Sequence, residues 1–122
     1  MYGNEHNVHI MGNIAMLRCK FRGGTHIVLM DTEDLPKLSR LKKPYITCHN
    51  NKPPYYLYAK DNDRRSISIA RLVSRCPDDL VVVYRNNDSL DLRKKNLQHV
   101  TPLEQSTAAS HKRHYGKEVH NA

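Results

Sequence analysis

The chain has 122 residues, enough for one hydrophobic core and too few for two. Hydrophobic residues make up 39%, with no Trp and a single Phe, so the core must come from Val, Ile, Leu, Met and Tyr. Twenty Lys and Arg against twelve Asp and Glu give a net charge of +8, and a small basic domain of this kind points to an acidic partner, most often nucleic acid.

In chain order, residues 8–20 (VHIMGNIAMLRCK) read as a strand pair turning at Gly12-Asn13. Gly23-Gly24 reads as the next hairpin turn, because glycine accepts positive φ without steric cost. THIVLM at 25–30 is the returning strand. DTEDLPKLSRLKK predicts a short helix beginning near Asp34. Its acidic residues come first and Arg40, Lys42 and Lys43 last, matching the helix dipole, and Pro36 is tolerable only near the start. Residues 45–49 and 55–59 read as a strand pair joined by the loop from Asn50 to Pro54.

KDNDRR is a turn, and SISIARLVSR a short strand entering a helix. Pro77-Asp78-Asp79 is another turn. LVVVY at 80–84 is a buried strand, RNNDSLD a polar loop, and LRKKNLQHV a short helix or turn. From Thr101 the pattern is that of a helix start, with Thr101 as N-cap, Pro102 first and Glu104 third. The end, HKRHYGKEVHNA, is basic and reads as frayed. No apolar run approaches the roughly 18 residues of a membrane span. The polar start MYGNEHNVHI is unlike a signal or transit peptide. Cys19, Cys48 and Cys76 are odd in number and form no C-x-x-C pair. They read as small packed residues in a reduced, cytoplasmic setting.

The stretch 68–105 resembles the HNH (ββα-metal) homing endonucleases of phages and mobile introns. That family shows Leu-His-Arg-Leu-Ile, then Val-Asp-His-Ile-Asn-Gly-Asn, then Leu-Asp-Asn-Arg-x-x-Asn-Leu-Arg, then Val-Thr and a Gln/Asn-rich helix start. Here the counterparts are IARLV at 69–73, VVYRNND at 82–88, LDLRKKNLQ at 90–98 and VTPLEQ at 100–105, without a gap across 82–105. MDTEDLPKL and the Tyr-rich strand pair fit the family's leader, so the resemblance covers roughly residues 10–106. It implies an α+β fold of small antiparallel sheets and short helices, with a degenerate ββα-metal core in the C-terminal half. It also implies one domain over 1–106 (N-terminal sheet and helix 8–60, degenerate core 61–106) and a basic tail over 107–122.

The departures from the family decide the chemistry. HNH hydrolysis needs a carboxylate on a divalent cation and a neutral His that takes a proton from the attacking water. Val83 stands where the family has that Asp, and Tyr84 where it has that His. Ala70 replaces the His before Arg-Leu, and Gln105 replaces the shorter Asn of the last helix. Val has no donor atom, and a phenol with a pKa near 10 is a poor base at neutral pH. Asn96 is retained, in a role that loop geometry alone explains. The resemblance therefore implies a nuclease-dead relative with no catalytic residue, no metal ligand and no cofactor. Asp88 and Asp91 read as loop caps. His99 reads as a packed or surface residue rather than a ligand, and His6, His9, His111 and His114 as weak ligand candidates at most.

A DNA-binding surface remains. Arg18, Lys20 and Arg22 alternate, so as strand residues all three face one way, either into a groove or simply into solvent. Arg64 and Arg65 lie on a turn suited to clamping phosphate. Arg93, Lys94 and Lys95 mark the turn that faces DNA in the family, and Arg71 either buttresses the fold or touches phosphate. Residues 1–60 hold nine basic and four acidic side chains, which places most of the positive excess in the N-terminal sheet half. The expected function is sequence-selective binding of double-stranded DNA without cleavage, as a repressor or site competitor in a phage or mobile element. The alternatives are an inhibitor or adaptor that binds a host or phage protein through the Val83–Tyr84 patch, and a binder of structured RNA. No membrane partner is expected, and the oligomeric state is open.

Overall fold

Alternation sets the first sheet. In IAMLRCKF the small and apolar Ala15, Leu17 and Cys19 are buried, while Arg18 and Lys20, on the opposite face, are exposed. The computed structural model describes residues 8–106. β1 (Val8–Met11), β2 (Ile14–Phe21) and β3 (Gly24–Asp31) form an antiparallel meander, and the two-residue β8 (Asp91–Leu92) adds to β3 in parallel through Leu29–Asp91 and Met30–Leu92. The first hairpin turns at Gly12-Asn13 as expected, with Gly12 at φ +62°. The second turns at Arg22-Gly23 rather than Gly23-Gly24. Both turn residues take positive φ (53° and 81°), as a two-residue turn matched to strand twist requires, and Gly24 already pairs with Phe21. Arg22 is therefore a turn residue, not the third member of a strand face.

After β3 a 3-10 turn (Thr32–Asp34) leads into α1 (Leu35–Leu38). The helix expected through Lys43 stops at Ser39, whose N–H and hydroxyl both donate to the Pro36 carbonyl, at 3.1 and 2.6 Å. Pro44 biases Lys43 away from helical geometry, and the Lys42 N–H is taken by the Lys60 carbonyl at 2.8 Å. Arg40, Lys42 and Lys43 thus lie on an irregular link. β4 (Tyr45–His49), β5 (Lys52–Lys60) and β6 (Ser66–Ser68) form a second antiparallel sheet. The loop expected from Asn50 to Pro54 contracts to Asn50-Asn51, both at positive φ. Pro53 and Pro54 sit inside β5 at the register shift opposite Cys48 and His49, where no ladder hydrogen bond is asked of them.

The strand-to-helix reading at Ser68 holds. α2 (Ile69–Ser74) is N-capped by the Ser68 hydroxyl, which accepts from the Arg71 N–H, and ends on Arg75 in the left-handed region. β7 (Val81–Tyr84) pairs antiparallel with β9 (Leu97–Val100) and, among the described residues, with no other strand. The stretch 92–100, expected as a helix or turn, divides into the end of β8, a 3-10 turn (Lys94–Asn96) and β9. Leu97 enters the core while Gln98 faces water, which is strand periodicity. A helical turn over 102–106 closes on a reciprocal cap: the Glu104 N–H donates to the Thr101 hydroxyl (3.1 Å) and the Thr101 N–H to Glu104 Oε1 (2.7 Å). The expected frayed tail lies outside the described residues.

The result is an α+β fold of small antiparallel sheets with few short helices. One core joins Leu17, Val28 and Met30 of the first sheet to Ile46 and Leu57 of the second, Ile69 and Val73 of α2, and Leu92 and Leu97. The 60/61 boundary is not a seam, because β5 and β6 pair across it and β8 returns to β3. No helix among the described residues is long and apolar enough to cross a membrane.

Candidate functional site

The segment from β7 to the terminal helical turn is held by its loop, residues 85–96. Asn96 is buried, and its carboxamide clamps both ends: Nδ2 donates to the Asp91 carbonyl (3.0 Å) and Oδ1 accepts from the Asn86 N–H (2.9 Å). The Arg85 N–H reaches the Asn96 carbonyl at 2.8 Å. Asp88 Oδ1 accepts from the Leu90 N–H, and Asn86 Oδ1 from the Asp88 N–H. Asp88 and Asp91 thus serve the loop as caps. Asp91 is buried, and Arg93 grips it with Nε on Oδ1 (2.8 Å) and Nη2 on Oδ2 (2.6 Å), while Asn86 Nδ2 supplies a third donor at 2.8 Å. Burial alone would raise the Asp91 pKa. The donors from Arg93 and Asn86 outweigh it and hold the carboxyl below its ordinary range.

Beside this ribbon lies an open groove of about 930 Å³, running between β7, whose second edge pairs with no strand among the described residues, and β5 of the second sheet. Tyr56 and Tyr58, alternating on β5, contribute one wall, and Val82, Val83 and Tyr84 the other. Arg85, Gln98 and Gln105 lie on its rim. The Tyr56 and Tyr84 rings stand 6.4 Å apart, tilted by 39°. Burial, reinforced by the neighbouring Tyr56 and Tyr58 phenols, pushes the Tyr84 hydroxyl well above its ordinary pKa, so it holds its proton at neutral pH. Val83 brings only methyl groups. The pair therefore offers neither a carboxylate for a cation nor a base for water. Ala70, at the third position of interest, is buried in α2.

The basic residues singled out in the sequence fall into three groups. Arg18 and Lys20 are exposed on the outer face of β2. Arg22 lies over the Phe21 ring, 5.1 Å from its centroid, and donates to Asn51 Oδ1. Arg64 and Arg65 are exposed on the β5–β6 turn, where Arg65 pairs with Asp61 (3.1 Å) and Asp63 (3.4 Å). Hydrogen bonds from the Arg65 backbone, and then from the Asp63 backbone and the Arg65 side chain, hold the Asp61 pKa low despite the opposing desolvation.

Arg71, Arg93 and Lys94 have their charged ends committed within the fold. Arg71 donates to the carbonyls of Leu80 (2.8 Å) and Pro77 (2.7 Å), and Arg93 is the partner of Asp91. Lys94 Nζ sits among Glu33 (2.6 Å), Asp34 (2.7 Å) and Asp31 (3.6 Å). Lys95 is exposed. The turn 93–95 thus presents one cation outward rather than three.

Three features were not legible as a site in the sequence. The Asp31–Glu33–Asp34 cluster reads there only as the acidic start of a helix, and its carboxylates converge around Lys94 and Lys37 (2.9 Å from Asp34). Arg85 reads as loop, and the groove depends on a packing of β5 against β7 that no local pattern reveals. The i, i+2 spacing of Tyr56 and Tyr58 was the available signal. His99 is packed, with Nε2 3.0 Å from the Ser74 hydroxyl. His9 is exposed on β1, and His6, His111 and His114 lie outside the described residues. Cys19 is buried, which raises its thiol pKa, and Cys48 and Cys76 are half-buried. The chain matches no protein-family model, no curated protein and no solved structure.

Proposed function

We propose that the chain is a nuclease-dead HNH-like protein that binds double-stranded DNA. The observation that carries the reading is the strand–loop–strand–helical-turn order over residues 81–106, with Asn96 tying the loop shut, combined with Val83 and Tyr84 where the motif calls for Asp and His. A degenerate ββα core accounts for both at once: the framework residues remain and the reacting groups do not. The net charge of +8 and the outward Arg18 and Lys20 supply a cationic surface for a polyanion. Docking through the outer face of β2, where Arg18 and Lys20 are exposed, is the best-supported geometry. Lys95, Arg64 and Arg65 are the further exposed candidates.

The test is selection of short duplexes from a random pool at about 0.15 M salt, followed by affinity as a function of salt. A falling log K with log salt and an enriched sequence are expected. Salt-insensitive or absent binding would move the protein to the second reading, an adaptor or inhibitor that takes a protein partner. The apolar character of Val82, Val83 and Tyr84 at the groove favours that alternative.

A further inference from the structure

The geometry points to the tyrosine groove beside β7 as a site for an unpaired nucleotide, its base against the Tyr56 and Tyr84 rings and its phosphate at Arg85. This rests on the DNA-binding reading and adds a ligand class that duplex binding does not require.

The lining chemistry selects the ligand. Three phenol rings from two sheets converge, and among the described residues the Tyr56, Tyr58 and Tyr84 hydroxyls make no hydrogen bond to protein. Arg85 is exposed at the lip, with no acceptor for its guanidinium among those residues. Gln98 and Gln105 add exposed carboxamides. The one carboxylate on the lining among the described residues, Glu104, already accepts from the Thr101 N–H. The groove therefore presents aromatic faces, hydrogen-bond donors and one available cation. That set fits an aromatic, acceptor-rich, singly anionic group, and base-on-aromatic stacking tolerates any sequence.

A duplex backbone is the poorer occupant. It brings a row of phosphates and hides the base faces in its stack, whereas the only other guanidinium on the lining among the described residues, Arg71, is bound to the Leu80 and Pro77 carbonyls. At about 930 Å³ the groove is at the upper end of the range for small-ligand sites. A neutral extended peptide would meet the rings but leave Arg85 unanswered on a chain of charge +8.

The experiment compares the full chain on an intact duplex, on the same duplex interrupted by a short single-stranded gap, and on free deoxynucleoside monophosphates as competitors. Anisotropy reads the DNA, and the part of the tyrosine quenching that is lost in Tyr84→Leu reports the groove, which holds three of the chain's seven tyrosines. The gapped duplex is expected to bind about tenfold more tightly than the intact one. Tyr84→Leu is expected to abolish that preference and Tyr84→Phe to keep it, with intact-duplex affinity unchanged in both. Should Tyr84→Leu unfold, Arg85→Gln on the exposed lip serves instead. It is expected to lower gap affinity and to reduce the salt slope on gapped DNA by about one.

Displacement of the gapped duplex by free mononucleotides would support the site and make its ligand a soluble nucleotide. Salt-sensitive duplex binding with no gain from the gap overturns the groove assignment alone. Gap binding without any affinity for intact duplex overturns the double-strand reading alone. Capture of a proline-rich or acidic peptide that Tyr84→Leu releases, with no gap preference, also overturns the nucleotide assignment.

Discussion

Asp91 and Arg93, two residues apart, form a two-pronged ion pair at the point where β8 joins the first sheet, with contacts of 2.8 and 2.6 Å on the two carboxylate oxygens. The carboxylate is 1% exposed and the guanidinium side chain 20%. The pair also receives Asn86, so it ties the loop after β7 to the sheet that carries Arg18 and Lys20.

Removing the guanidinium leaves a buried carboxylate with only Asn86 and backbone donors. Arg93→Ala is expected to destabilise the fold by about 3 kcal/mol, read as a fall in the urea midpoint at unchanged slope. The pH dependence has a definite sign. The Asp91 pKa is lower folded than unfolded, so its contribution is complete above the unfolded value of about 3.9 and is lost as pH falls through the folded one. Arg93→Ala should therefore flatten the acid limb of stability. An unchanged acid limb would show that the pair is not what holds this carboxyl ionised.

Lys94, the next residue, is the counterpart at the end of β3, where its N–H is taken by Asp31 and its ammonium by Asp34 and Glu33. Desolvation would lower its pKa, but the hydrogen bonds and charges of Asp34 and Glu33 raise it. A raised ammonium pKa contributes stability that is complete below the unfolded value of about 10.4 and disappears only as pH rises through the folded one. Lys94→Met is expected to cost about 1–2 kcal/mol at neutral pH, a figure reduced because the side chain is 38% exposed and screened, and because Lys37 still faces Asp34. Equilibrium denaturation of wild type and variant, at neutral pH and in strong alkali, checks both parts. The difference should shrink in alkali.

These two pairs show where sequence reading succeeds and where it stops. The turn at Gly12-Asn13, the entry to α2 at Ser68 and the Thr101–Glu104 cap are set by groups within a few residues of one another, so their patterns are visible in the chain. Arg93-Lys94-Lys95 reads as an outward basic turn because the acceptor of Lys94, Asp34, lies 60 residues upstream. The strand at Leu97–Val100 is likewise imposed by a distant partner, since β7 recruits β9, and beyond the local stop of α1 at Ser39 it is Lys60 that holds Lys42. The groove belongs to the same class. Tyr56 and Tyr58 are visible as one face of a strand, but their meeting with Tyr84 is a tertiary fact.

The outer face of β2 has its own quantitative signature. Arg18→Ala with Lys20→Ala removes two exposed cations from one strand face and leaves Leu17 and Cys19 in place beneath. Each phosphate contact contributes about 0.9 to the slope of log K against log salt, so the double variant should lose about two units of slope and weaken on all duplexes alike. A variant that instead loses preference among sequences, at a cost of about 1–3 kcal/mol on the best site, would mean that one of the two reads a base edge. Unchanged affinity and slope would move the interface to Arg64, Arg65 and Lys95.

The last prediction addresses the chemistry itself. Plasmid and oligonucleotide DNA are expected to survive incubation with Mg²⁺ or Mn²⁺, because Val83 has no donor atom and the Tyr84 phenol keeps its proton. Val83→Asp with Tyr84→His returns the missing groups to the end of β7, where β9 and the Asn96-tied loop already fix the backbone. The double variant should bind Mn²⁺ in a calorimetric titration while the wild type does not, at a stability cost of about 2 kcal/mol for the lost Tyr packing. Ala70 is left alone, since at 3% exposure an imidazole there would overpack α2. Metal-dependent nicking by the wild type, abolished by Asp88→Asn, would refute this account. Asp88 is the exposed carboxylate of the loop between β7 and β9, and its activity would mean that the catalytic centre had moved into the loop rather than vanished.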